Sequence, residues 1–244
     1  MTQISTPARR QVERFLDFSD HVGGLEEADV LALLHDHDIT TLEQLVAKAV
    51  RAPRSAKPVP ADPARALARP RAATAPTTAL ANAPVTHPAP AMAVVVDGVE
   101  HDPADLTRFD GRPLTYLYHP ERLTAVTDDT AVNGALWAAA LLRDPRPATR
   151  GEVQMFEHVE YAGDWFWCPA RQAYNDLTDV HHGPLHLHDW NDVISSMGGT
   201  NCTVRYYEHI NFGGSSLIVP PFSDIPNLVP SGWNDRISSV WNHG

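Results

Sequence analysis

The 244-residue chain is predicted to be a multidomain protein. It has a small helical bundle over residues 1–51, a central small α+β segment over 93–145 and a duplicated β domain over 151–244. Three observations predict this layout: a pair of motifs repeated in the same order near the C-terminus, a Pro/Ala-dominated stretch over 52–92, and apolar residues at helical spacing before it.

The repeat begins with a six-residue phrase that follows a tryptophan each time. It reads Asn191-Asp192-Val193-Ile194-Ser195-Ser196 after Trp190 and Asn234-Asp235-Arg236-Ile237-Ser238-Ser239 after Trp233. Upstream of each copy stands a second shared segment, Phe156-Glu157-His158-Val159-Glu160-Tyr161-Ala162-Gly163 and Tyr207-Glu208-His209-Ile210-Asn211-Phe212-Gly213-Gly214. Two aromatics flanking a short segment closed by Gly suit a folded hairpin in which the rings pack together, with Gly163 or Gly214 in a backbone region closed to other residues. Ile194 and Ile237 read as core residues, and Trp190 and Trp233 as packing anchors. One unit of about 40 residues is thus duplicated.

Paired Asn, Asp and Ser side chains offer carboxylate, amide and hydroxyl oxygens at close spacing, and a hard cation such as Ca2+ takes about six to eight oxygens of these kinds. A single such phrase is more often an ordinary turn, because these side chains bond nearby backbone groups without any metal. Recurrence behind the same aromatic hairpin shifts the balance toward calcium.

The combination of an aromatic-x4-aromatic-x-Gly hairpin with an Asn-Asp-x-x-Ser-Ser loop resembles the calcium-binding βγ-crystallins, particularly their microbial members. The resemblance covers residues 151–244 only, with motifs over 153–197 and 203–242. It implies a Greek-key β-sandwich whose two loops form a double clamp on two Ca2+ ions. It further implies hydroxyl ligands from Ser195 and Ser238, main-chain carbonyls from Val193 and Arg236, oxygens from Asp192 and Asp235, and hairpin carbonyls at or near Glu157 and Glu208. Arg236 would contribute its main chain alone, its charge turned to solvent. The resemblance also brings an alternative, a protease inhibitor of the crystallin-fold type.

The two units differ in length: Asn191 follows Gly163 by 28 positions, whereas Asn234 follows Gly214 by 20. The insertion falls within Cys168 to His188 and brings His181, His182, His186 and His188 ahead of Asp189, a run able to hold zinc or nickel if the chain folds back on itself, and otherwise a solvated loop leading into a strand. Cys168 and Cys202 are the only cysteines. They read either as two buried thiols or as a bridge between the motifs.

In the N-terminal region Val12, Phe15 and Leu16 share a helical face, Gly23-Gly24 ends that helix, Val30, Leu31, Leu33 and Leu34 form a second cluster, and Thr40 with Glu43 opens a third helix as a capping box. This bundle is expected to dock a protein partner or to self-associate. Proline density makes 52–92 an extended tether. Beyond it, Val94-Val95-Val96 before Asp97-Gly98 signals a hairpin, 114–119 and 123–127 alternate like strands, and Ala131 to Leu142 reads as a helix capped by Asp128 or Asp129.

A formal charge of -11 argues against nucleic-acid binding by bulk electrostatics and suits a cation binder. The sequence has no apolar run long enough for a membrane span and no signal-peptide pattern at Met1-Thr2-Gln3, so a cytoplasmic protein without a membrane partner is expected. No nucleophile stands at a spacing that would pair it with a base, so the protein is expected not to be an enzyme.

Overall fold

The structure is a computed structural model that describes residues 41, 44, 83–129, 132, 133, 136, 152–182, 188–199 and 202–243. The chain divides into two compact units, one formed by 1–56 and 128–147, the other by 57–127 and 148–244. In the first unit, Gln44, Val132, Asn133 and Leu136 are helical. Thr41 Oγ1 accepts from the Gln44 amide at 3.3 Å, and the Asn133 amide donates to the Asp129 carbonyl at 2.8 Å, which starts a helix where Asp128 and Asp129 were expected to cap one. The rest of the expected bundle, Thr40 and Glu43 included, lies outside the described residues.

The described part of the second unit is built of β-strands joined by turns and short 3-10 segments. Strands β1 (Ala93–Val96) and β2 (Val99–His101) form the expected hairpin. Asp97 at φ 52° and Gly98 at φ 81° make the left-handed two-residue turn whose twist matches paired strands. A 3-10 segment, Pro103–Phe109, opens with Asp102 capping the Ala104 amide. It leads to β3 (Thr115–Tyr118) and β4 (Arg122–Val126), which pair antiparallel, while β1 and β4 run parallel.

The duplicated region supplies β5 (Val153–His158), β6 (Ala162–Cys168), β7 (Ala173–Tyr174), β8 (His181–His182), β9 (His188–Asp189) and β10 (Ser196–Gly198) from its first half. Its second half gives β11 (Val204–His209), β12 (Gly213–Val219) and β13 (Ser239–Asn242). Each half lends its third segment to the other's sheet. β7 of the first half pairs with β13, and Ile225 of the second bridges Met197 of β10 through bonds of 2.8 and 2.9 Å. This exchange is the Greek-key crossing, and it ties both halves into one core that includes Met155, Trp190, Ile194, Val204, Leu217, Trp233, Ile237 and Val240. Both loop tryptophans are 1% exposed and both isoleucines 0%, the packing roles their positions predicted.

The expected boundary between the central segment and the β domain does not hold in the sheet. β3 lies parallel beside β12, with Thr115, Tyr116 and Leu117 opposite Ser216, Leu217 and Ile218. One eight-stranded sheet therefore runs in the order β2-β1-β4-β3-β12-β11-β13-β7, with a three-stranded β10-β5-β6 sheet and a two-stranded β8-β9 ribbon beside it. The physical reason is the open edge of β12, whose backbone groups would otherwise need other partners. Val94, Val96, Tyr116 and Leu123 of the added strands, with Leu114 just ahead of β3, join the same core.

The stretch expected to end the tether is also fixed. The Ala91 amide donates to Pro230 O at 2.8 Å, and the Gly111 amide to Val85 O at 2.9 Å. His87, 2% exposed, donates from Nε2 to Arg112 O at 3.0 Å and receives the Tyr116 hydroxyl on Nδ1 at 2.8 Å. Cys168 and Cys202 are both buried thiols, so the bridge between the motifs is not formed. Burial pushes the Cys168 thiol up to about 12.

Gly214 has φ +71°, and a Cβ placed there would meet His209 Cδ2 at 2.8 Å and Glu208 Cβ at 3.0 Å. Gly214→Ala is expected to lower stability by at least about 1 kcal/mol, from left-handed strain and the forced shift of the hairpin, read as a reduced urea midpoint. Cys168 is expected to resist a disulfide reagent at pH 8 in the native protein and to react once denaturant is added, because only the thiolate attacks.

Candidate metal centre

Each hairpin folds by the same local device. In the first, Glu160 and Tyr161 take φ 56° and 59°; in the second, Asn211 and Phe212 take 57° and 59°. The flanking rings meet as expected, Phe156 on Tyr161 at 5.5 Å and Tyr207 on Phe212 at 5.3 Å. The last serine of each loop phrase locks the hairpin to its loop. Ser196 Oγ donates to His158 O at 2.6 Å and accepts from the Tyr161 amide at 3.1 Å. Ser239 Oγ donates to His209 O at 2.7 Å and accepts from the Phe212 amide at 3.1 Å.

The two loops meet through main-chain bonds that cross between the halves. The Asp192 amide donates to Ile237 O at 3.1 Å and the Asp235 amide to Ile194 O at 3.2 Å. Both aspartates sit in the left-handed region, at φ 55° and 53°, which turns each carboxylate toward the opposite loop. Ser238 Oγ lies 3.1 Å from Asp192 Oδ1 and 2.8 Å from Glu208 O. Ser195 Oγ lies 3.3 Å from Asp235 Oδ1 and 3.4 Å from Val193 O. Asn191 and Asn234 each donate to the second oxygen of the neighbouring aspartate, at 2.8 and 2.7 Å.

In each cluster one hydroxyl hydrogen faces two acceptors, so at least one oxygen keeps a lone pair turned inward among neighbours about 3 Å away. Oxygens bound to a common Ca2+ at about 2.3–2.6 Å have comparable spacings. The Oδ1 atoms of Asn191 and Asn234 are buried without a hydrogen-bond partner among the described residues. Burial raises the Asp192 carboxyl above its usual value of 3.8, opposed by the hydrogen bonds from Ser238 and Asn191. Both clusters are therefore oxygen-rich and short of hydrogen donors.

Six of the eight expected ligands come together as two crossed sets, Asp192 with Ser238 and the Glu208 carbonyl, and Asp235 with Ser195 and the Val193 carbonyl. The C-terminal domain resembles the βγ-crystallins. Among solved structures it is similar to a βγ-crystallin from Ciona intestinalis, at 27% identity over 38% of this chain and 99% of that one, with a TM-score of 0.30. An archaeal βγ-crystallin is likewise 27% identical over 38% and 99%, with a TM-score of 0.31. A βγ-crystallin domain from Clostridium beijerinckii is 27% identical over 36% and 93%, with a TM-score of 0.29. No family model and no curated protein matches the chain.

One expectation for the βγ-crystallin-like domain needs correction. Arg236 does not turn its charge to solvent: its side chain is 18% exposed. It donates to Glu208 Oε1 at 2.7 Å, Thr86 O at 2.8 Å and Gly232 O at 3.0 Å, over the Trp233 ring at 5.3 Å. The reason is Glu208, whose carboxylate folds back over Gly214 to accept from the Ser215 amide at 3.1 Å and draws the guanidinium inward. Of the histidine run, the described members His181, His182 and His188 do not gather with Asp189 into one group of ligand atoms. His182 and His188 face one another across β8-β9 with ring centroids 5.9 Å apart, Asp189 Oδ1 accepts from the Asn191 amide at 3.1 Å, and His186 lies outside the described residues.

Sequence reading missed the clasping role of Asn191 and Asn234, visible as the first letter of each phrase. It also missed the contact of Thr86 with Glu208 and Arg236, for which the sequence carries no local signal.

A pH effect follows from Asp192. Because its folded pKa is raised, its stabilising contribution is complete below the unfolded value near 3.8 and is lost as pH rises through the folded value. In chelator at neutral pH, Asp192→Asn is expected to melt higher than the unaltered protein, and the gap should close on acidification through that window. Thermal melts against pH measure this.

Proposed function

We propose that the βγ-crystallin-like domain binds two Ca2+ ions in its paired loops, and that the ions stabilise the fold or set the strength of an interaction. One ion would use the Asp192 carboxylate, the Ser238 hydroxyl and the carbonyls of Arg236 and Glu208. The other would use the Asp235 carboxylate, the Ser195 hydroxyl and the carbonyls of Val193 and Glu157. The observation that carries this reading is the crossing of each serine hydroxyl onto the carboxylate of the opposite loop, at 3.1 and 3.3 Å. The donor set is all oxygen, as Ca2+ requires.

The sign of the charge balance supports the same reading. Each cluster gathers a carboxylate, a hydroxyl and carbonyls with few hydrogens to share. A divalent ion would satisfy the inward lone pairs and offset the desolvation that raises Asp192. In this role no covalent bond is made or broken, and no feature of the described residues favours the protease-inhibitor alternative.

Calorimetric titration of the full chain with CaCl2 is expected to show two ions bound. Each site adds about 2.7 kcal/mol to stability when Ca2+ exceeds its Kd a hundredfold, seen as a higher melting midpoint than in chelator. Ser238→Ala should weaken one ion and Ser195→Ala the other, each by about tenfold or more, since affinity follows the ligand set. The double variant should lose the calcium-dependent rise while keeping its β-sheet circular dichroism. Absence of heat and of any melting shift in the unaltered protein would overturn the reading.

A further inference from the structure

The carboxylates of Glu157 and Asp164 and the imidazole of His182 converge beside the first hairpin, with one ligand atom from each within 4.8 Å of the others. The paired loops would call on Glu157 for its main-chain carbonyl only, and on neither of the other two residues. We propose that these three side chains form a separate site for a transition-metal dication of the Zn2+ class.

The orientation of His182 is the first argument. Its Nε2 lies 3.1 Å from Asp189 O. A carbonyl can only accept, so Nε2 carries the hydrogen. That leaves Nδ1 as the nitrogen facing Asp164 Oδ2, at 3.4 Å. The ring is held there by Trp190, with centroids 4.6 Å apart, and its side chain is 9% exposed. A histidine whose far N–H is tied to a carbonyl is the arrangement that fixes the tautomer and direction of a metal ligand. Donors about 2.0–2.1 Å from a tetrahedral Zn2+ stand about 3.3–3.4 Å from one another, the separation found between Nδ1 and Oδ2.

The duplicated half supplies the second argument. There Glu208 occupies the position of Glu157, and both carboxylates fold back over a glycine. Glu157 Oε2 accepts from the Asp164 amide at 3.2 Å, as Glu208 Oε2 accepts from Ser215 at 3.1 Å. A Cβ at Gly163 would stand 3.1 Å from Glu157 Oε2, so the glycine makes room for the group. In the second half the carboxylate meets a built-in cation, Arg236, at 2.7 Å. The first half has Val193 where Arg236 stands and Asp164 where Ser215 stands. It thus replaces a fixed positive side chain with an apolar one, adds a second carboxylate, and brings up an imidazole from its insertion. One nitrogen and two carboxylates suit Zn2+, Co2+ or Ni2+ rather than Ca2+, and three protein ligands leave a fourth position for water.

The test is a Co2+ titration of the full chain in excess Ca2+, which fills any calcium sites first and keeps this result separate from that of the paired loops. A single ion is expected to give the visible absorption of four-coordinate Co2+, and Zn2+ should abolish it by displacement. Asp164→Asn and His182→Gln should each weaken binding by about tenfold or more, whereas His188→Gln should not. No visible band, or a band unchanged in both variants, would overturn the site. Should either variant fail to fold, the imidazole 15N resonances of the unaltered protein decide. Zn2+ is expected to shift Nδ1 of His182 strongly and Nε2 little, and an unmoved Nδ1 would overturn the proposal.

Discussion

The left-handed backbone of Asp192 and Asp235, at φ 55° and 53°, is the constraint from which the arrangement of the β domain follows. Only with both residues in that conformation can each amide reach the carbonyl in front of the other loop's serine pair, at 3.1 and 3.2 Å. Asn and Asp tolerate this region better than other side chains, which explains why the second letter of the phrase is the same in both copies. Once the loops are locked in this way, Ile194 and Ile237 fall into the core, and the serines that follow reach their hairpins.

The final serine of each phrase transmits that lock. By joining a hairpin carbonyl and a hairpin amide, Ser196 and Ser239 make the aromatic turn and the polar loop one rigid body. Loss of either hydroxyl would leave main-chain groups without partners, a cost of about 1–3 kcal/mol for a buried group. The oxygens around Ser195 and Ser238 are therefore prearranged by the fold itself, the preorganisation that the proposed ion binding calls for.

The duplicated region was legible because its signals are local. Hairpin, turn and loop phrase each occupy fewer than about ten residues, and recurrence removed the ambiguity that a single copy carries. The Asp97-Gly98 hairpin and strands β3 and β4 were legible for the same reason. What stayed hidden depends on long-range geometry. Parallel pairing of β3 with β12 joins residues about a hundred positions apart, and an alternating strand gives no sign of which edge it will seek. The same holds for the turn of Arg236 toward Glu208 and Thr86, since charge on a loop normally reads as solvated. The histidine insertion showed ligand-type residues but concealed that, among the described residues, the His182 ring would be aimed at carboxylates from a different strand pair.

The strand borrowed from the central segment alters what the β domain can do with copies of itself. A bare edge at β12 would offer seven residues of unpaired backbone, long enough to template another chain. With that flank filled from within, the large sheet ends in β2, three residues long, and β7, two residues long. Margins so short give an incoming strand little to hold, so the large sheet carries its own guard against edge-to-edge pairing.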